Sequence, residues 1–273
     1  MKKNLYILSD KELKREYNTL KIDDKKIPIS MIANVYVFSN AKITRSAKNL
    51  LLRNKRSLFY FNKRYELVGI FSSGFFNNYV NRRIKQYENM NNLDIAKKIV
   101  EIKLKTIEKI FNTELPERNF DEIKSYQELL GVEGFSSTIM FDVFKKELKK
   151  LGIKEFKKRE YKPVKDRVNG LLSFLYTLYY SFVFGELTSL GFDPYVGFLH
   201  RKRGNHAVLC SDVMEEARIH LTKLALKLLA DIYPDGFDEL YLNSDSRKKV
   251  ILEFDKFLVN YENSILKYLI TKF

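Results

Sequence analysis

Tryptophan is absent from this sequence, cysteine occurs once, and proline occurs only five times in 273 residues. The lone Cys210 closes no internal disulfide, which excludes a disulfide-stapled secreted scaffold and fits a reducing compartment. So few prolines, with only eleven scattered glycines, exclude collagen-like and low-complexity chains. Long apolar runs are missing too. The longest, Leu171 to Phe184, is interrupted by Ser173, Thr177 and Ser181 and bounded by Glu186. A membrane span needs about 18–20 apolar residues, so this run is expected to be a buried helix. The amino-terminal segment returns to charge well short of the roughly 7–15 apolar residues of a secretory signal. A soluble, cytoplasmic protein without membrane contact is expected.

Acidic charge is also short: 34 Asp and Glu face 49 Lys and Arg, a formal net charge of +15. A lysine-rich surface alone can produce such a balance, but its distribution points to a polyanionic partner. Between Lys145 and Arg167 stand eleven basic and four acidic residues, so about half the net charge lies in that one stretch. Clustering of this kind is the electrostatic footprint of nucleic-acid binding. What the sequence has in plenty is core material, with 21 Phe, 17 Tyr and 45% hydrophobic residues.

The periodicity divides the chain. Asn4–Leu8, Thr19–Ile22, Ile32–Phe38, Ser57–Phe61 and Tyr65–Phe71 are short and rich in β-branched or aromatic residues, and Asn62-Lys63-Arg64 suits a hairpin loop. Within this region Ala47, Leu50 and Leu51 fall at helical spacing behind Thr44, a candidate N-cap. From about Asn78 the period is near 3.6 residues. Leu93–Phe111 places isoleucines along one face, with lysine on the other. Further helices are expected at 121–130, 134–150, 168–189, 208–232 and 246–270. Ser72-Ser73-Gly74 supplies a turn at the junction. The fold class expected is α+β, with a β-rich N-terminal domain (1–76) followed by a larger helical domain (77–273).

Several chemistries have no support. Cys210 lies in the apolar run Ala207-Val208-Leu209 and reads as core packing, although His206 is near. No glycine-rich phosphate loop is present, and one Cys with three His cannot build a closed zinc site. Carboxylates near one histidine are more informative. His200 ends the turn-rich segment Gly191-Phe-Asp-Pro-Tyr-Val-Gly-Phe-Leu-His200, and Asp212, Glu215 and Glu216 follow within one helical pattern. Three carboxylates so close suit either a solvated first turn or a cation site. With an imidazole, such a set suits Mn²⁺ or Mg²⁺ and leaves positions for water and phosphate oxygen.

These segments resemble the CRISPR-associated integrase family Cas-one. The likeness rests on Gly191 to His200 followed by Asp212-Val-Met-Glu215-Glu216-Ala-Arg218. Other parts match in order: Gly131-Val-Glu133-Gly134 for a Gly-x-Glu-Gly turn, Asn169 at the opening of a long helix, and Arg82-x-x-x-Gln86 before Leu93–Lys103. Val35-Tyr-Val-Phe38 with Ile43-Thr44 resembles the family's N-terminal strand and short helix. The chain departs from the usual pattern at Ala217, Ile219, Ser173-Phe174 and Ser39-Asn40, and none of these is a candidate ligand.

The resemblance implies catalytic metal ligands at Glu133, His200 and Glu215, holding Mn²⁺ or Mg²⁺, with Asp212 and Glu216 in support. It implies phosphoryl transfer on double-stranded DNA, joining short captured fragments to a CRISPR repeat. Candidate DNA contacts are Arg201, Lys202 and Arg203, beside His200, and Lys149, Lys150, Lys157 and Lys158 in the basic stretch. Implied partners are a second copy of the chain, paired through the β-rich domain, and a small Cas-two dimer. Two rival readings remain: a nucleic-acid-binding protein without catalysis, and a stand-alone repair nuclease.

Overall fold

The computed structural model describes residues 3–62, 67–72, 79–160, 163–201, 204 and 206–273. They group into two compact units, one of residues 1–84 and 180–194, the other of 85–179 and 195–273. The expected boundary at 76/77, the hairpin residues Lys63 and Arg64, and the turn residues Ser73 and Gly74 lie outside the described residues.

The first unit holds two sheets. In one, β1 (Lys3–Ile7), β5 (Ile32–Val37), β7 (Leu58–Phe61) and β8 (Leu67–Phe71) lie in the order β1-β5-β7-β8. β5 pairs parallel with both neighbours, and β7 pairs antiparallel with β8. Sequence and position agree: β5 reads IANVYV and is buried almost throughout, as a central strand must be. Parallel β5 and β7 need a crossover, and α1 (Arg45–Arg53) supplies it. Thr44 caps α1, its hydroxyl accepting from the Ala47 N–H at 3.3 Å. The second sheet, β4 (Lys25–Pro28), β3 (Thr19–Ile22), β2 (Glu12–Glu16) and β6 (Lys42–Ile43), packs its inner residues Leu13, Leu20 and Ile43 into the same core. Sequence reading finds β3 but misses β2, β4 and β6. Their sequences ELKRE, KKIP and KI carry little β-branched or aromatic signal and are largely exposed.

Helices dominate the rest: α2 (Val80–Glu88), α3 (Leu93–Phe111), α4 (Tyr126–Lys150), α5 (Arg167–Ser189), α6 (Val208–Ile232), α7 (Ser244–Asn260) and α8 (Ser264–Lys272). A hairpin of β9 (Phe237–Asp238) and β10 (Tyr241–Leu242) precedes α7. α5 ends where expected, because Gly191 takes φ +84° and lets its own N–H and that of Phe192 bond back to Thr188 and Leu187. α6 has every residue from Val208 to Ala217 buried, charged ones included, so it is the central helix of its unit.

Two expectations fail. The turn at Gly131-Val-Glu133-Gly134 does not form, and 121–130 and 134–150 are not separate helices: α4 runs unbroken through both glycines. Neither glycine has a positive φ. Ser125 also starts the helix firmly, accepting from the Glu128 N–H. Conversely, the single helix expected at 246–270 is two. Asn263 interrupts it and caps α8, accepting from the Leu266 N–H at 2.8 Å.

Candidate functional site

α6 carries four of the side chains that matter, and its burial decides what they can do. Asp212 and Glu215 are fully buried and Glu216 nearly so. They lie beyond the first turn of α6, so the solvated first-turn alternative does not hold. Each must therefore have partners.

Asp212 gathers the loop that bears His200. Its carboxylate accepts from the backbone N–H groups of Phe198 (2.6 Å), Leu199 (3.0 Å) and His200 (2.9 Å), and from His200 Nδ1 (2.7 Å). Gly197 makes this approach possible, since a Cβ there would stand 2.7 Å from Asp212 Oδ2. With Nδ1 donating to Asp212, His200 turns Nε2 toward Glu215 Oε1 at 3.6 Å. Burial opposes the imidazolium, but the Asp212 hydrogen bond and the charge of Glu215 outweigh it and raise the His200 pKa.

Glu215 is the centre of the cluster. One oxygen meets Arg218 Nη1, one turn on along α6, and the other accepts from Lys103 Nζ at 2.5 Å. Burial would raise its pKa, yet Arg218, Lys103 and His200 together hold it down to about 2. Lys103 reaches in from α3 with its side chain only 3% exposed. Its ammonium also donates to Glu133 on α4 and to Ser137 Oγ at 2.8 Å. Ser137 in turn donates to Glu133 Oε1 at 3.0 Å. Glu133, His200 and Glu215, from two helices and a loop, thus meet around Lys103 and Arg218.

Glu216 points elsewhere. It accepts from the Ser264 N–H (2.6 Å), Ser264 Oγ (2.8 Å) and the Ile265 N–H (3.2 Å), placing a carboxylate at the N-terminus of α8. Arg201 is exposed, but its guanidinium stacks 4.0 Å from the Tyr126 ring centroid and donates to Met90 O and Asn91 Oδ1. It braces the loop next to His200. Lys202 and Arg203 lie outside the described residues. Lys149, Lys150, Lys157 and Lys158 are exposed; Lys150 pairs with Glu147 at 2.6 Å, and Lys158 stands 4.0 Å from Glu160. Asn169 is fully buried near the start of α5, where its amide holds Arg159, the Glu160 N–H, Lys158 O and Asp166. Cys210 is buried, and burial pushes its thiol well above the ordinary range, as befits a packing residue.

Sequence reading misses Lys103 and gives Arg218 no role. A signal for Lys103 exists: it stands four residues from both Ile99 and Ile107, on the apolar stripe of α3, where an unpaired charge is costly.

A β-rich unit joined to a helical unit in which two glutamates and a histidine meet a buried lysine and an arginine defines an α+β protein with a candidate cation-binding cluster. The model of the family CRISPR associated protein Cas1 matches residues 5–256, and the chain belongs to that family. A CRISPR-associated endonuclease Cas1 of Leptospira interrogans is 31% identical over 150 residues, half of this chain and 57% of that protein. Another, CRISPR-associated endonuclease Cas1 2 of Thermodesulfovibrio yellowstonii, is 26% identical over 94% of this chain and 86% of its own length. Among solved structures, a Cas1 protein from Thermotoga maritima superposes with a TM-score of 0.82 at 22% identity, covering 98% of this chain and 94% of that one. A casposase bound to integration product gives 0.80 at 20% identity, covering 100% and 92%. A Cas6-RT-Cas1–Cas2 complex gives 0.75 at 21% identity, covering 99% of this chain and 34% of that one. These likenesses establish the fold.

Proposed function

We propose that the chain is a divalent-metal-dependent DNA endonuclease and integrase that inserts short captured DNA into a CRISPR array by phosphoryl transfer. The observation that carries this reading is the convergence of Glu133, His200 and Glu215 on one partly buried cluster. The donor chemistry fits Mn²⁺ or Mg²⁺. Two carboxylates already share a cation, the Lys103 ammonium, and the Asp212 bond to Nδ1 leaves His200 Nε2 as the ligating nitrogen, a carboxylate–histidine arrangement common behind metals. Among the described residues, no group of three such side chains stands at the spacing of a bound ion; Lys103 stands between the two glutamates.

When bound, the metal would polarise a non-bridging phosphate oxygen and orient the attacking hydroxyl or water. The chain's own residues would do the rest. Asp212 holds the His200 ring, and Arg218 holds Glu215 ionised while presenting a guanidinium to phosphate. The basic stretch from Lys145 to Arg167 would follow the DNA backbone. No covalent enzyme intermediate is needed, in keeping with a buried, inert Cys210. The likeness to a casposase bound to integration product and to a Cas1–Cas2 assembly supports double-stranded DNA and a Cas2 dimer as partners. Self-association through the β-rich unit and a cytoplasmic location complete the reading.

Two adjacent glutamates test it. Consecutive helix positions point about 100° apart, and Glu215 and Glu216 have different partners. Glu215→Gln is expected to abolish Mn²⁺-dependent transfer of a fluorescent DNA end into a repeat-bearing plasmid. Glu216→Gln should keep measurable transfer, within about 100-fold of the parent. An active Glu215→Gln protein would overturn the assignment.

A further inference from the structure

We infer that Lys103 is a built-in counter-ion: its ammonium stands between Glu133 and Glu215 in the metal-free protein and thereby sets how tightly a divalent cation binds there. The inference rests on the metal-site reading above and goes further by naming the residue that opposes the metal.

Three observations lead to it. First, Lys103 is saturated. An ammonium has three donors, and those of Lys103 go to Glu133, Glu215 and Ser137. Second, it has no solvated alternative at its present position, since its side chain is 3% exposed while Glu215 is 0% and Glu133 17% exposed. Third, the two glutamates already have two cations beside them without metal. Glu133 and Glu215 bring two negative charges, and Lys103 and Arg218 bring two positive ones. A surface ion pair would contribute little, but breaking a buried one leaves an uncompensated charge. Lys103 therefore holds α3, α4 and α6 together when no metal is bound, and it must give up at least one glutamate before the pair can share another cation.

A purely structural salt bridge predicts something different. Deleting it would loosen the site and leave metal affinity unchanged or weaker. A counter-ion in competition with the metal predicts the reverse, a less stable metal-free protein that binds metal more tightly.

The experiment uses the full chain, calorimetric titration with Mn²⁺ alone, and thermal melting without metal. Lys103→Met keeps the length of the stem and removes the charge. It is expected to lower the metal-free melting temperature by about 5–10 °C and to tighten Mn²⁺ binding about tenfold or more. The double variant Lys103→Met/Glu133→Gln removes one charge of each sign and should regain most of the lost melting temperature. Should Lys103→Met alone fail to fold, recovery by the double variant still supports the counter-ion, and failure of both overturns it in favour of packing. Equal or weaker Mn²⁺ binding by Lys103→Met, with binding abolished in Glu215→Gln, would sink the counter-ion and leave the metal site standing. Identical Mn²⁺ binding by the parent, Lys103→Met and Glu215→Gln would overturn both.

Discussion

His200 shows how much one residue's chemistry depends on a single buried neighbour. The Asp212 carboxylate serves three backbone N–H groups and the ring at once, so loop shape and ring tautomer depend on the same group. The folded pKa of His200 is raised. Stability from its protonated pair with Asp212 is thus fully present below the unfolded value, about 6.5, and is lost as pH rises through the folded pKa. Followed by NMR in the metal-free protein, the His200 ring should titrate above an ordinary histidine, and Asp212→Asn should bring it down. A ring that titrates at or below the ordinary value would contradict the geometry. Part of this is legible in the sequence: His200, Asp212 and Glu215 are recognisable from their spacing and family likeness. Lys103 is marked only by its place on the apolar stripe of α3, a faint signal in a lysine-rich helix.

At the scale of elements, local pattern succeeds where one face is buried and fails where a long-range contact decides. α3 and α6 are legible to the residue because apolar positions recur from one end of each helix to the other. The break before α8 is not, since it depends on Asn263 donating to Val213 O and Tyr179 OH, and on Glu216 meeting the α8 N-terminus. α4 fails in the opposite sense. Two glycines three residues apart look like a turn, yet nothing lies within 4 Å of a Cβ built at either. Helix-interior glycine costs about 0.5–1 kcal/mol relative to alanine. Gly131→Ala and Gly134→Ala should each raise stability by about that amount in denaturant melts. Destabilisation by both would mean that α4 needs to bend between Glu133 and the helix start.

Over the whole molecule, the excess charge and the buried cluster have different jobs. Within the cluster Lys103 and Arg218 offset Glu133 and Glu215, so nearly all of the net +15 resides outside it and is available to a polyanion. Lys149 lies on the same helix as Glu133, about 24 Å further along at 1.5 Å per residue. Duplex DNA presents about 14 phosphates over that length, at one charge per roughly 1.7 Å. A duplex whose scissile phosphate sits at Glu133 therefore reaches the basic end of α4 if it runs along the helix. Lys149 and Lys157 have no ion-pair partner among the described residues, whereas Lys150 and Lys158 are near Glu147 and Glu160. Reversing all four to glutamate should weaken duplex binding and flatten its dependence on log salt, by about 0.9 for each phosphate no longer neutralised. Most of that change should come from Lys149 and Lys157, because an exposed lysine already beside a carboxylate releases less counter-ion on meeting phosphate. Fluorescence anisotropy across a salt series, with the four-lysine and two-lysine reversals side by side, measures both slopes. A slope unchanged in the four-lysine variant would mean that this end of α4 faces away from DNA and that the duplex takes another course.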